Sequence, residues 1–187
     1  MKKWIIAVSL LLFAAGCADK TAAVETASLK ADMSGYENFT ETDHHFLASD
    51  VQDFLERMDD QETMTAYFGF SECPWCNEAL PILNECAEEA GTDIYYINTR
   101  PTEDVTNNTE MPDYDLLLAR IGSCFSYDNE GNHHLYVPFV VFVKDGEVVM
   151  THEGTVDGHD AHERVMTDEE REEVREIYRS GFAMLKE

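Results

Sequence analysis

Two cysteines separated by two residues stand at the junction between a predicted strand and a predicted helix. Cys73 and Cys76 enclose Pro74 and Trp75, and apolar residues at helical spacing follow. The unpaired N–H groups and the dipole at a helix N-terminus stabilise negative charge, so this position favours the thiolate of the first cysteine. We therefore predict that Cys73 is a nucleophile. Cys76, one turn further along, is placed to attack a mixed disulfide at Cys73 and release the product.

The other cysteines and the histidines argue against a metal site. Zinc sites built on thiolates use a second closely spaced pair, and neither Cys86 nor Cys124 has a neighbouring cysteine. Two alternatives stay open for them, a second disulfide or two free thiols. His159 and His162 have a ligand-compatible spacing without an identifiable third ligand. We therefore expect surface histidines, no metal and no other cofactor.

Alternating patterns around the cysteines predict an α/β domain. Residues 63–70 are β-branched and aromatic, which is typical of a buried strand, and the helix at 74–90 stops at Gly91. The order strand, helix, strand, helix, strand implies parallel pairing with helices on both faces of the sheet. The other elements predicted in this half are a strand at 45–48, a helix at 50–59 capped by Ser49, and a strand at 93–98.

The second half adds a hairpin and a final helix. Residues 135–143 form a predicted strand interrupted by Pro138, and an Asp-Gly turn at 145–146 leads into a returning strand at 147–152. Thr167 and Glu170 have the capping-box spacing and begin an amphipathic helix through Leu185. A further helix is predicted at 112–121, between two polar loops.

The charge of the chain limits its partners. Its 187 residues include 13 Lys and Arg against 38 Asp and Glu, a formal net charge of −25. Without a basic patch, the protein is not expected to bind nucleic acid, and an anionic membrane surface would repel it. Hydrophobic residues make up 44% of the chain, which is enough for a packed core.

The first 17 residues have the pattern of an export signal. Lys2 and Lys3 precede an apolar run at 4–15, which is shorter than the roughly 20 residues of a spanning helix. The run ends in two alanines, and Gly16 and Cys17 follow it, a pattern that resembles the lipobox of bacterial lipoproteins. This resemblance implies that Cys17 is lipidated and holds the protein on the extracytoplasmic face of the cell membrane. An ordinary secretory signal is the alternative.

The chain therefore divides into three predicted parts. Residues 1–17 are the lipoprotein signal with its lipidated cysteine. Residues 18–41 are polar and acidic without apolar periodicity, so they are expected to be a flexible tether. Residues 42–187 are expected to form the folded domain.

The cysteine pair and the later proline together resemble the thioredoxin superfamily. The segments TAYFGFSECPWCNEALPIL and VPFVVFVKDGEVVMTHEG carry the resemblance, which extends from about Phe46 to Leu185. It implies a thioredoxin-like fold, a central mixed sheet with helices on both faces, with an extra helix and loop inserted before the proline strand. It also implies that Pro138 is cis and packs against the active-site cysteines, and that Val137 contacts the substrate backbone.

The chain also departs from thioredoxin, and it looks more like the bacteriocin-transport-accessory type. Tyr67 stands where the buried aspartate of thioredoxin would fall, and Glu72 replaces the usual tryptophan before the first cysteine. Pro74 and Trp75 are expected to tune the redox couple. Like-charge repulsion from Glu72 and Glu78 is expected to oppose the helix dipole and raise the pKa of Cys73.

The sequence thus predicts a thiol-disulfide oxidoreductase that acts on exported proteins. Its substrates would carry thiols or disulfides, a membrane protein could exchange electrons with it, and the direction of transfer stays open among reduction, oxidation and isomerisation. The alternative is a non-catalytic binding module, in which Cys73 and Cys76 form a permanent disulfide and the same fold recognises a partner.

Overall fold

The computed structural model of the protein describes residues 29–187. The predicted signal with Cys17, and residues 18–28 of the predicted tether, lie outside the described residues. The α-helices are α1 (Val51–Asp59), α2 (Pro74–Ala90), α3 (Tyr114–Ile121) and α4 (Asp168–Met184). The strands are β1 (Phe46–Ser49), β2 (Met64–Gly69), β3 (Ile94–Asn98), β4 (Ser126–Tyr127), β5 (His133–His134), β6 (Phe139–Lys144) and β7 (Glu147–Glu153). Short 3₁₀ helices occupy Asn108–Glu110 and Gly122–Cys124.

Five of these strands form one mixed sheet with β2 at its centre. The order across the sheet is β1, β3, β2, β6, β7, and β4 and β5 form a separate two-stranded sheet. Strands β1, β3 and β2 are parallel, whereas β6 runs antiparallel to β2 and β7 antiparallel to β6. This topology confirms the α/β fold class that the sequence predicted.

Helices cover both faces of the sheet. Side chains alternate between the two faces along β2, and all six of its residues are buried, so both faces need a covering layer. On one face, Tyr67 packs in a hydrophobic cluster with residues of α2 and α4 such as Leu83 and Tyr178. On the other face, Phe68 packs with residues of α1 and α3 such as Phe54 and Leu117. The sheet therefore separates two cores, and only the first contains the two cysteines of the CPWC segment (residues 73–76).

The boundaries of α2 agree with the sequence prediction. Cys73 is its N-cap residue, Pro74 occupies the first turn and Gly91 ends it in the left-handed conformation, with φ of 68°. Proline suits the first turn because its missing N–H would have no partner there, and glycine adopts positive φ without a Cβ clash. As a result, β2 and α2 hold the CPWC segment from both sides.

The final helix α4 begins with the predicted capping box. The Thr167 side chain accepts a hydrogen bond from the Glu170 N–H, and the Glu170 carboxylate accepts one from Thr167. Helix α4 packs on α2, where two arginine–glutamate pairs, Arg175–Glu85 and Arg179–Glu89, join the helices at 2.7 Å. None of the helices within 29–187 is long and apolar enough to cross a membrane.

The predicted boundary at residue 42 is wrong, because the described part of the predicted tether belongs to the folded domain. The backbone N–H of Ala31 donates to the carbonyl of Phe46 at 3.0 Å. Met33, Tyr36 and Phe39 are each at most 5% exposed and belong to the same core as α2. We call residues 30–39 the N-terminal segment. Met33, Tyr36 and Phe39 recur at every third position. The polar residues between them made the segment look like a tether in the sequence.

Three smaller predictions also differ from the structure. The N-cap of α1 is Asp50, whose side chain accepts from the Asp53 N–H at 2.8 Å, rather than Ser49. Helix α3 begins at Tyr114, two residues later than predicted. Residues 135–137 precede strand β6 instead of belonging to it, because Pro138 has no N–H to donate to a neighbouring strand.

Candidate active site

The first cysteine of the CPWC segment lies where the backbone can stabilise a thiolate. The Cys73 sulfur accepts a hydrogen bond from the Cys76 N–H at 3.2 Å, which satisfies an otherwise unpaired donor at the start of α2. The pKa of Cys73 is lowered, chiefly by hydrogen bonding from the Cys76 thiol and further by the N–H groups of Cys76 and Trp75. Cys73 is therefore the thiol that ionises first.

Cys76 has the opposite character. It has no exposed surface, and burial raises its pKa well above the usual value. Cys73 is also largely covered, with 3% of its surface exposed. Both cysteines are thiols in the structure. The two are therefore chemically unequal, with an anion-stabilised sulfur at the helix end and a protonated one a turn inside.

The loop before β6 brings a carbonyl group and the predicted proline to the first thiol. The Val137–Pro138 peptide bond is cis, as the resemblance implied, and Pro138 is buried. The Cys73 thiol lies 3.8 Å from the carbonyl oxygen of Val137, to which it can donate a hydrogen bond. The backbone at Val137 thus borders the Cys73 sulfur.

Arg100 contributes to the site, although sequence analysis did not single it out. It follows the end of β3, next to the end of β2, and its guanidinium lies 3.8 Å from the ring centroid of Phe70. Its charge helps to lower the pKa of Cys73. Because the carboxyl ends of adjacent parallel strands meet at one edge of the sheet, a residue just after β3 could have been suspected.

The expected effect of the two glutamates on Cys73 is outweighed. Glu72 is exposed and accepts a hydrogen bond from the Ser71 hydroxyl at 2.9 Å. Glu78 is 6% exposed and accepts a hydrogen bond from the Met166 N–H at 2.6 Å. The pKa of Cys73 is nevertheless lowered, chiefly by the hydrogen bond from the Cys76 thiol, so the expected repulsion by the two glutamates does not determine its direction.

A buried histidine fixes the loop that lies beside the tryptophan of the CPWC segment. His159 is 8% exposed, so the prediction of a surface histidine is wrong for this residue. Its ring nitrogens lie 2.7 Å from the Thr155 hydroxyl and 3.0 Å from the Arg164 carbonyl, and 3.4 Å separates it from the Glu78 carboxylate. The Trp75 indole N–H donates to the His159 carbonyl at 3.3 Å. The loop 154–166 is thereby tied to α2 at Glu78.

Two open cavities flank the CPWC segment. One, of about 380 Å³, lies beside Trp75 and is bordered by Thr155 and Ile177. The other, of about 370 Å³, lies beside Pro74 and is bordered by Ser71 and Glu37. Residues from the N-terminal segment, α2, α4 and the loop after β7 thus provide recesses on both sides of the cysteines.

Cys86 and Cys124, the other two cysteines within residues 29–187, do not pair. Cys86 is buried under α4, with its sulfur 3.7 Å from the Arg175 carbonyl, in the core that contains Cys76. Cys124 packs against the core on the other face of the sheet. Both are free thiols, so the alternative of a disulfide between them is not realised, because the sheet lies between them. Within residues 29–187, no three His, Cys, Asp or Glu side chains converge to hold a metal ion.

Comparison with known proteins gives only distant similarities. No family model and no curated protein matches the chain. Similar solved structures include a proposed oxidoreductase with a thioredoxin fold (15% identity, TM-score 0.43, covering 75% of this chain and 94% of that one). Others are oxidised thioredoxin O2 from Arabidopsis thaliana (13%, TM-score 0.40, 66% and 91%) and a mutant thioredoxin from Halobacterium salinarum (16%, TM-score 0.40, 75% and 96%).

Proposed function

We propose that the protein is a thiol-disulfide oxidoreductase that uses Cys73 as nucleophile and Cys76 as resolving thiol. The observation that carries the proposal is the inequality of the two thiols. The Cys76 thiol and, to a smaller extent, the N–H groups at the start of α2 lower the pKa of Cys73, whereas burial raises the pKa of Cys76. Since the thiolate is the reactive species, this arrangement gives one sulfur that attacks first and one that follows.

The reaction proceeds in two exchanges. The Cys73 thiolate attacks a disulfide of the client protein, one client sulfur leaves as a thiolate and takes up a proton, and Cys73 is bonded to the other. The Cys76 thiol then loses its proton, and its sulfur attacks Cys73. The bond to the client breaks, the client leaves with two electrons more than before, and the Cys73–Cys76 disulfide remains. The same steps in reverse oxidise a client dithiol, so one site serves either direction.

The clients are proposed to be exported proteins. Cys17 follows a signal that resembles a lipobox, so the domain would act on the extracytoplasmic face of the cell membrane, where disulfides persist. A protein of the same membrane would exchange electrons with the cysteine pair. The recesses beside Pro74 and Trp75 suit side chains that flank the client's cysteine.

The experiment that tests the proposal is trapping of mixed disulfides. In the Cys76→Ala variant, Cys73 can attack a client but nothing resolves the bond, so adducts should accumulate and identify the clients. The matched Cys73→Ala variant keeps the buried Cys76 thiol but lacks the nucleophile, so it should capture almost nothing. Both variants also carry Cys124→Ser, which removes the partly exposed thiol. Equal capture by the two variants, or none by either, would contradict the assignment of roles.

The burial of both sulfurs favours one second candidate, a binding module whose Cys73–Cys76 disulfide is permanent. With 3% and 0% of their surfaces exposed, the cysteines resemble those of a structural bond as well as those of a catalytic pair. The reduction potential distinguishes the two functions. A structural disulfide is expected below about −300 mV and a catalytic one above it.

A further inference from the structure

Beneath the resolving thiol lies a phenol group whose place depends on a glycine. Tyr67 has no exposed surface, and its ring extends along β2 toward the CPWC segment, over Gly69. A Cβ atom at Gly69 would lie 2.9 Å from the Tyr67 hydroxyl oxygen, closer than carbon and oxygen approach without a shift. The absence of a side chain at Gly69 therefore leaves the space that the phenol occupies.

The Tyr67 hydroxyl has no hydrogen bond of ordinary geometry to any residue in the described part of the chain. Its neighbours are already engaged. The ring of Tyr96 stacks on that of Tyr67 with centroids 6.0 Å apart, and the Tyr96 hydroxyl accepts from Tyr36 at 3.2 Å. A fully buried hydroxyl without a partner is destabilising, so such a group is expected to have a role in another state of the protein.

The unpartnered hydroxyl faces the Cys76 thiol. Tyr67 and Cys76 belong to the same core, and the hydroxyl is close enough to lower the pKa of Cys76, against the larger effect of burial. Burial raises the pKa of Tyr67 itself well above its usual value. Tyr67 therefore keeps its proton at neutral pH and can donate a hydrogen bond, but it cannot act as a base.

We infer that Tyr67 is a positioning residue for the resolving thiol, donating a hydrogen bond to the Cys76 sulfur when that sulfur becomes anionic. The inference rests on the proposed function. During resolution the Cys76 proton passes to the departing client sulfur, directly or through water, and the Tyr67 proton stays in place. The phenol stabilises the buried anion at the moment it attacks Cys73, and hydrogen bonds to charged groups are stronger than those to neutral ones.

The pH dependence of this step involves few other groups. The titratable side chains that face Cys76 from the elements packed around it are Cys73 of α2, Tyr67 of β2, Tyr96 of β3, Tyr36 of the N-terminal segment and Tyr178 of α4. Burial raises the pKa of Tyr96 to about 12. The four tyrosines remain protonated at neutral pH. Below the pH at which tyrosines ionise, a change in the rate at which Cys76 resolves the mixed disulfide therefore reports on the two thiols.

The test compares two variants that each remove one buried, partnerless hydroxyl from β2. Tyr67→Phe removes the oxygen next to Cys76, and Thr65→Val removes one that lies two residues earlier on the strand, farther from the CPWC segment. The full chain is used with Cys17→Ser and Cys124→Ser in every variant, because these two thiols would otherwise react as well, whereas Cys86 is buried. The reduced protein is reacted with Ellman's reagent across a range of pH. The first aromatic thiol released reports the attack by Cys73, and the second reports resolution by Cys76.

We expect Tyr67→Phe to slow the second release about tenfold at neutral pH, within the range for a hydrogen bond to a charged group, and to leave the first unchanged. The pH profile of the second release should move to higher pH. Gly69→Ala, which displaces the Tyr67 ring, should act in the same direction. Thr65→Val should match the wild type.

Two results would overturn the inference. One is a Tyr67→Phe variant that resolves at the wild-type rate with an unshifted profile. The other is equal slowing in Thr65→Val, which would attribute the effect to packing of the core. A wild-type protein that releases the first aromatic thiol but never the second would instead refute the proposed function, and the role of Tyr67 with it.

Discussion

Replacing Phe39 with alanine measures how much the packing of the N-terminal segment contributes to the stability of the domain. The Phe39 ring is 5% exposed and lies 5.8 Å from the ring of Phe46 in a T-shaped contact. Truncating a buried phenylalanine destabilises a protein by about 3–5 kcal/mol. We expect a loss of about 3 kcal/mol in the free energy of unfolding, because a segment without regular secondary structure can partly collapse into the gap.

Urea denaturation of the reduced protein provides the measurement. With a slope of about 2 kcal/mol per molar urea, a loss of about 3 kcal/mol lowers the midpoint by about 1.5 M. Leu29→Ala is the matched control, because Leu29 is 78% exposed and should change stability by less than about 0.5 kcal/mol. A Phe39→Ala midpoint as close to the wild type as that of the control would refute the packing and restore the flexible tether.

Three further results are expected. Cys17→Ser should release the protein from the membrane fraction or stall its processing, and wild-type protein found wholly soluble after export would contradict lipidation. Arg100→Gln should raise the pKa of Cys73, so the alkylation rate of the reduced protein should reach its plateau at higher pH; an unmoved profile would show that the guanidinium charge does not act on the thiolate. Glu78→Ala should lower stability by about 1–3 kcal/mol, because the buried Met166 N–H loses its acceptor, and thermal unfolding unchanged from wild type would exclude that bond.

Local sequence signals predicted the elements around the cysteines well. Helix α2 has strong start and stop residues in Pro74 and Gly91, and β2 combines β-branched and aromatic residues with burial on both faces. These features depend on neighbours within a few positions, which a sequence displays directly. The inequality of Cys73 and Cys76 followed from the same local argument, since a helix N-terminus acts on the residue that caps it.

Contacts between distant segments were harder to foresee. The burial of His159 depends on Glu78 and Arg164, which reach it from α2 and from the loop before α4. The N-terminal segment is buried only because β1 and α2 offer it an apolar surface. Arg100 acts on Cys73 from the end of a neighbouring strand. In each case the sequence contains the residue but not the partner that determines its environment.

The placement of the cysteines limits how many electrons the folded part of the chain can exchange. Cys86 is ten residues from Cys76 along α2, about 15 Å at the rise of an α-helix, whereas disulfide-bonded Cα atoms lie within about 7 Å. Cys124 lies across the sheet. Within residues 29–187, the folded chain can therefore form one internal disulfide, and it accepts or gives up electrons two at a time. A redox titration of its thiols should follow a single two-electron curve, with about 30 mV for each tenfold change in the ratio of oxidised to reduced protein.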